Sequence, residues 1–186
     1  MNAHQQATGS AYFIDTKKQE IETHTLAVIA ENQPGVLARI IGLFAGRGYN
    51  IDSLTVSETE HEKHVSRFTI VTTGTAAVIA QIKAQLDRMV PVHSVADLTA
   101  EGNFIARELA MVKVNGVGEK RIEALRLGDA FRARVVDASV ESFVFELTGK
   151  PDKIDQFISL MMPLGLVEVS RTGVAAISRG QSVMKE

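Results

Sequence analysis

HTLAVIAENQPGVLARIIGLFAGRGYNIDSLTV, residues 24–56, is the stretch whose reading decides the fold. Thr25 to Ala30 is a short apolar run of strand-compatible residues, and Asn32-Gln33-Pro34-Gly35 breaks it with amide, proline and glycine turn chemistry. Val36, Leu37, Ile40, Ile41 and Phe44 then recur at helical spacing. Gly46 and Gly48 close that run where a left-handed C-terminal residue is usually needed. Asn50 leads into a second strand, Ile51 to Val56, so the order is strand, tight loop, helix, turn, strand.

Outward from this unit the same alternation continues. Glu58 to Lys63 is a charged connection, and His64 to Thr72 resumes strand character as the second arm of a hairpin. Ala76 to Arg88 carries Val78, Ile79, Ile82 and Leu86 on one helical face, with Met89 just beyond, and Pro91 to Leu98 supplies a closing strand. Ala100 to Asn103 is a polar, glycine-containing break, after which the order repeats without obvious sequence identity. Glu108 to Val114 reads as a strand, Gly118 to Leu127 as a helix, and Ala130 to Ser139 and Ser142 to Thr148 as a hairpin. Lys150-Pro151-Asp152 opens the next helix, with proline in the first turn where its missing N–H costs little. Pro163 and Gly165 stop it, Leu166 to Arg171 closes the second set, and Gly173 to Gly180 forms a short final segment.

Two βαββαβ sets give an α+β chain of two tandem ferredoxin-like domains, each with helices on one face of an antiparallel sheet. The expected division is a flexible extension over 1–22, a first domain over 23–99, a linker over 100–107, a second domain over 108–180 and a tail over 181–186. Only Tyr12, Phe13 and Ile14 could anchor the extension. A helix-free sheet face or an edge strand is left to be covered, so pairing with a second copy is expected.

At 186 residues the chain has room for one or two real cores, and its formal charge of −2 points to neither nucleic acid nor an anionic membrane. It has no cysteine, which excludes disulfides and thiolate chemistry and fits a reducing cytoplasm. No run approaches the roughly 18 apolar residues of a membrane span. His61 and His64 are three apart across a probable hairpin, the wrong spacing for a helical zinc motif, so no metal is expected. Asn115-Gly116-Val117-Gly118 fails as a dinucleotide loop, because the third glycine would fall at Arg121. No paired carboxylates or phosphate loop stand out, and a binding or regulatory module is the simpler reading.

Two asparagines flank the first helix. A helix N-terminus preceded by Gly35 suits a carboxylate, which makes an amino-acid site one reading. Capping by Asn32 and a turn role for Asn50 is the other.

The segment ENQPGVLARIIGLFAGRGYNIDSLTVSETE (31–60) resembles the N-terminal ACT domain of acetolactate synthase (acetohydroxyacid synthase) regulatory small subunits. Its run RIIGLFAGRGYNIDSLTV carries most of the weight, EVSRTGVAAISRG (168–180) resembles the same family's C-terminal end, and the likeness spans about residues 22 to 180. The resemblance implies a non-catalytic subunit that activates a catalytic large subunit in branched-chain amino acid biosynthesis and makes it sensitive to valine. It implies no cofactor in this chain, with thiamine diphosphate, magnesium and FAD on the large subunit. It also implies a homodimer through the ACT domains, with Asn32, Gly35, Val36 and Leu37 of one chain and Asn50 and Ile51 of its neighbour lining the effector site. One methylene in an apolar pocket is worth only about 1–3 kcal/mol, which leaves room for leucine or isoleucine. Two alternatives stay open: a free-standing tandem ACT sensor acting on a transcription regulator or transporter, and a small enzyme with its site at an oligomer interface, using groups such as Glu58, His61 and His64.

Overall fold

The computed structural model describes residues 20–60, 64–181 and 183–184. The expectations placed on residues 1–19, and on His61 to Lys63, lie outside the described residues. The first domain runs β1 (Ile21–Glu31), α1 (Val36–Ala45), β2 (Ser53–Glu60), β3 (Val65–Thr75), α2 (Ala76–Asp87) and β4 (Val92–Asp97). The second runs β5 (Phe104–Asn115), α4 (Glu119–Phe131), β6 (Arg134–Ala138), β7 (Ser142–Gly149), α5 (Pro151–Met161) and β8 (Leu166–Arg171), with a short α3 (Leu98–Glu101) between the domains and β9 (Ala175–Ser178) at the end. The strand orders are β2-β3-β1-β4 and β6-β7-β5-β8, and every recorded pairing is antiparallel. Both sheets therefore have the expected ferredoxin-like order.

Period-two alternation sends Leu26, Val28 and Ala30 of β1 and Phe68 and Ile70 of β3 toward the helices, where they meet Val36, Ile40 and Phe44 of α1 and Ile79, Ile82 and Leu86 of α2. The second core is built the same way, from Ala110, Val112 and Val114 of β5, Phe143, Phe145 and Leu147 of β7, and Ile154, Phe157 and Met161 of α5. Fully burying a Val, Leu, Ile, Phe or Met side chain in these cores contributes roughly 1.5–3 kcal/mol.

β1 reaches beyond both of its expected ends and β2 runs to Glu60, into the expected charged connection, while three further features differ from the sequence reading for packing reasons. The helix expected to end at Leu127 runs to Phe131, and the strand expected from Ala130 starts at Arg134. Phe131 packs on Phe157 with ring centroids 5.3 Å apart, and a methyl placed on Gly128 would come within 2.7 Å of the Phe145 ring, so the last helical turn lies tightly on the core. The expected linker over 100–107 is largely structured. Ala100 and Glu101 belong to α3, and β5 already begins at Phe104.

The third difference concerns the helix-free face of the first sheet, which together with an edge strand was one of the two surfaces expected to be left for a second copy. The chain covers it itself. Phe104 to Arg107 pair with β9, and this ribbon lies across the sheet so that Val174 and Ala176 pack with Ala27 and Leu98, beside Val71, Phe104 and Ala106. Small side chains at Ala27, Ala106 and Ala176 let the layers approach closely. No described helix is long and apolar enough to cross a membrane.

Candidate functional site

The first half of the sequence-predicted site is the entrance to α1. Gly35 precedes the helix with φ +87, a conformation that side chains with a Cβ adopt only under strain. Space is not the constraint, since nothing lies within 4 Å of a methyl built there. The helix ladder begins with Arg39 N–H on Gly35 O at 3.0 Å, so the N–H groups of Leu37 and Ala38 precede its first rung. Among the described residues no side chain caps this end. Asn32 is therefore not a helix cap; its backbone N–H bonds His64 O at 2.6 Å and its side chain is exposed. Val36 is 4% exposed and belongs to the core, which leaves Leu37, at 41%, as the apolar side chain this end offers to a ligand.

The second half is the exit from α1. Asn50 Nδ2 donates to Asp52 Oδ1 at 2.5 Å, and Asn50 O accepts from Thr72 Oγ1 at 2.6 Å. Asp52 Oδ2 in turn accepts from Thr73 Oγ1 at 2.7 Å. The amide of Asn50 is thus held by its own loop, as the turn reading expects, and Ile51 rests against the first core. Ten helical residues separate the two halves, about 15 Å along the axis. One chain does not bring them together. What α1 carries between them is an exposed apolar pair one turn apart, Leu37 and Ile41.

The residues that follow Asn50 do something the sequence did not disclose. Ser53 Oγ accepts the Val174 N–H at 2.9 Å, and a methyl on Gly173 (φ +80) would sit 2.8 Å from that same oxygen. Only glycine lets the strand leaving the second domain pass so near the start of β2. Beside this crossing lies a groove of 680 Å³, bordered by Asp52, Ser53 and Leu54 on one side and by Glu108, Asp155 and Arg171 on the other. Arg171 grips Glu108 through two bonds of 2.6 Å and reaches Asp155 at 2.6 Å. The hydrogen bonds it donates to Glu108 lead in holding this guanidinium well above its ordinary value. A bidentate arginine pair fixes the base of the β8–β9 connection. The hint in sequence was Glu108 and Arg171 standing in otherwise strand-like runs, but nothing there pairs them.

A second polar contact locks the domain junction. His24 Nδ1 lies 2.9 Å from Asp97 Oδ2, both residues are buried, and Asp97 also accepts the Ala100 N–H at 3.1 Å as the cap of α3. Thr25 N–H reaches Thr99 Oγ1 at 2.9 Å. Among the described residues no three histidine, aspartate or glutamate side chains gather as for a metal, and His64, exposed with φ 51, stands 4.0 Å from Glu58. Neither contact assembles a nucleophile beside a base.

Known proteins share this architecture. Residues 26–94 match the family model described as the AHAS small subunit-like ACT domain, and residues 107–180 match that of the small subunit of acetolactate synthase. The chain is 46% identical over 157 residues to a probable acetolactate synthase small subunit of Archaeoglobus fulgidus, covering 84% of this chain and 97% of that one. It is 42% identical over 173 residues to the acetolactate synthase small subunit of Aquifex aeolicus, covering 92% and 89%. The crystal structure of the small subunit from Thermotoga maritima superimposes with a TM-score of 0.77 at 34% identity, covering 87% of this chain and 99% of that one.

Proposed function

Since the chain belongs to the acetolactate synthase small-subunit family, we propose that it is the regulatory partner of a catalytic large subunit, which it activates and renders sensitive to valine. Thiamine diphosphate, magnesium and FAD belong, in this reading, to the large subunit, and the assembly works in the cytoplasm on the branched-chain amino acid route. This chain contributes binding and coupling.

The observation that carries the effector assignment is the bare, glycine-led entrance of α1, where first-turn N–H groups face outward without a side-chain cap. These would take the α-carboxylate. Asn50 and Ile51 stand at the other end of the helix, so a complete site needs a second copy. An isologous pairing of α1 with itself, antiparallel across a two-fold axis, sets the entrance of one helix beside the exit of the other. Leu37 and Ile41 supply the apolar seam for that contact. Leucine or isoleucine would fit the same enclosure less selectively. For inhibition, valine must bind the low-activity arrangement more tightly than the active one.

The test is acetolactate formation from pyruvate by the purified large subunit, with and without this chain, across a valine titration. Stimulation followed by loss of rate with valine is expected. Gly35→Asp should keep the stimulation and raise the valine needed for half-inhibition by at least about tenfold, or about 1.4 kcal/mol. Gly35→Ala separates backbone strain from the repelling charge. Unchanged inhibition in Gly35→Asp would move the effector elsewhere, and no response of rate to the chain would favour a tandem sensor with a different target.

A further inference from the structure

Where β9 crosses the helix-free face of the first sheet, a separate recess of 360 Å³ opens at its margin. Two neighbouring cross-strand pairs line it from the sheet, Ser57 opposite Arg67 and Thr55 opposite Thr69. The ribbon lines it with Ile105 and Arg107 from β5 and Ala175 to Ile177 from β9. Two guanidinium groups and three hydroxyls thus meet a set of apolar side chains.

The charge of this recess is unbalanced. No carboxylate is among its described lining residues. Arg67 is half-buried and donates from Nη2 to Ala176 O at 3.0 Å, and Arg107 donates from Nη1 to Ala106 O at 2.7 Å. A guanidinium has five N–H donors, so each keeps most of its capacity. Burial pulls Arg67 below the ordinary guanidinium value, and the group nonetheless stays charged. Among the described residues no carboxylate forms an ion pair with Arg67, and a half-buried cation without a counter-charge is a cost that a bound anion relieves. The other groove arginine contrasts with it, since Arg171 is closed off by Glu108 and Asp155.

We propose that this recess binds a small carboxylate bearing a short apolar tail and no ammonium group, with the carboxylate between Arg67 and Arg107 and the tail along Ile105 and Ile177. An α-ammonium would face two like charges and find no acid among the described lining residues, which sets against an amino acid. An inorganic anion would leave the apolar wall unused. The recess lies on the sheet face opposite α1, so it is distinct from the effector site and stands independently of it. Because Arg107 lies on the strand that continues into the second domain, the ligand would tie the domains together and stabilise their junction.

The test titrates the ¹⁵N-labelled full chain with isovalerate, valine and inorganic phosphate while following backbone amide shifts. Saturable shifts of the Arg67, Ile105 and Ala176 amides with isovalerate are expected, weakened at least about tenfold by Arg107→Gln with an unchanged thermal midpoint. Arg107 is the deciding variant because its side chain is exposed, whereas Arg67→Gln also removes a bond that holds β9. Shifts confined to the ends of α1, or none at this recess, overturn the site. Phosphate binding as tightly as isovalerate overturns the apolar tail, and valine binding there as tightly overturns the exclusion of ammonium.

Discussion

The two sheets share one strand order and differ in what lies behind them. The first is sandwiched, with helices on one face and the β5–β9 ribbon on the other, so Ala27 is fully buried and Ala176 is 6% exposed. The second carries helices on one face only; on the other, Met111 is 45% exposed, and Lys113 pairs with Glu168 and Arg134 with Glu146 in solvent. Small apolar residues on the first rear face admit a covering layer, while charges paired across strands on the second keep it wet. Topology is thus the same and the rear-face chemistry decides whether a domain has two layers or three.

Matched substitutions give the sharpest way to break this comparison. Lysine in place of Ala176 would bury a charge under the ribbon and beside Arg67, and should destabilise by about 3 kcal/mol or more. The same change at Met111, opposite Glu146, should stay within about 0.5 kcal/mol. Urea denaturation of both variants decides it, and an equal loss in the two would mean the ribbon is not a covering layer. A smaller effect is expected from Ser53→Ala, which leaves the Val174 N–H without its acceptor. That should cost about 1 kcal/mol and speed hydrogen exchange at Val174, while exchange in β6 to β8 stays unchanged.

The smallest effect belongs to the open face. Hydrogen bonding to Lys113 holds the Glu168 carboxyl below 4.5, and the same bond raises Lys113 above 10.5. Stability from a depressed carboxyl is complete above its unfolded value and disappears as pH falls through the folded one. The lysine's share is present below 10.5 and lost as pH rises through its raised value. Glu168→Gln should therefore differ slightly from the parent near neutrality, and the difference should close at acid pH and in high salt. Thermal midpoints measured from acid to neutral pH check this, and a difference that grew toward acid would refute the pairing.

The elements that repeat locally were readable from sequence. Apolar spacing in α1, α2 and α5, proline at the start of α5 and the strand-like apolar runs of β1, β3, β5 and β7 each lie within a short window of sequence. Phe104 to Arg107 read as linker because their partner, Ala175 to Ser178, lies some seventy residues away, and a nonlocal pairing leaves no periodic trace. The end of α4 was misread for a related reason. Gly128 and Phe131 look unsuited to a helix until Phe145 and Phe157 are seen against them. At the candidate site, the helix entrance at Gly35 was legible from the Asn32-Gln33-Pro34-Gly35 turn, whereas Val36, on the same apolar stripe as Leu37, proved to face inward. The bond from Ser53 to Val174 joins residues 121 apart and had no signature at all.

The position of β9 in the chain has a consequence for biogenesis. Everything that builds the helical side of the first domain has been translated by Asp97, yet the strand that closes its rear arrives only with Ala175 to Ser178. At about 5–20 residues per second, the nascent first domain spends roughly 4–16 seconds with Ala27 and Val71 uncovered. During that interval the bare sheet presents apolar surface of the kind that invites aggregation, and pairing of β9 with β5 is the event that ends the exposure.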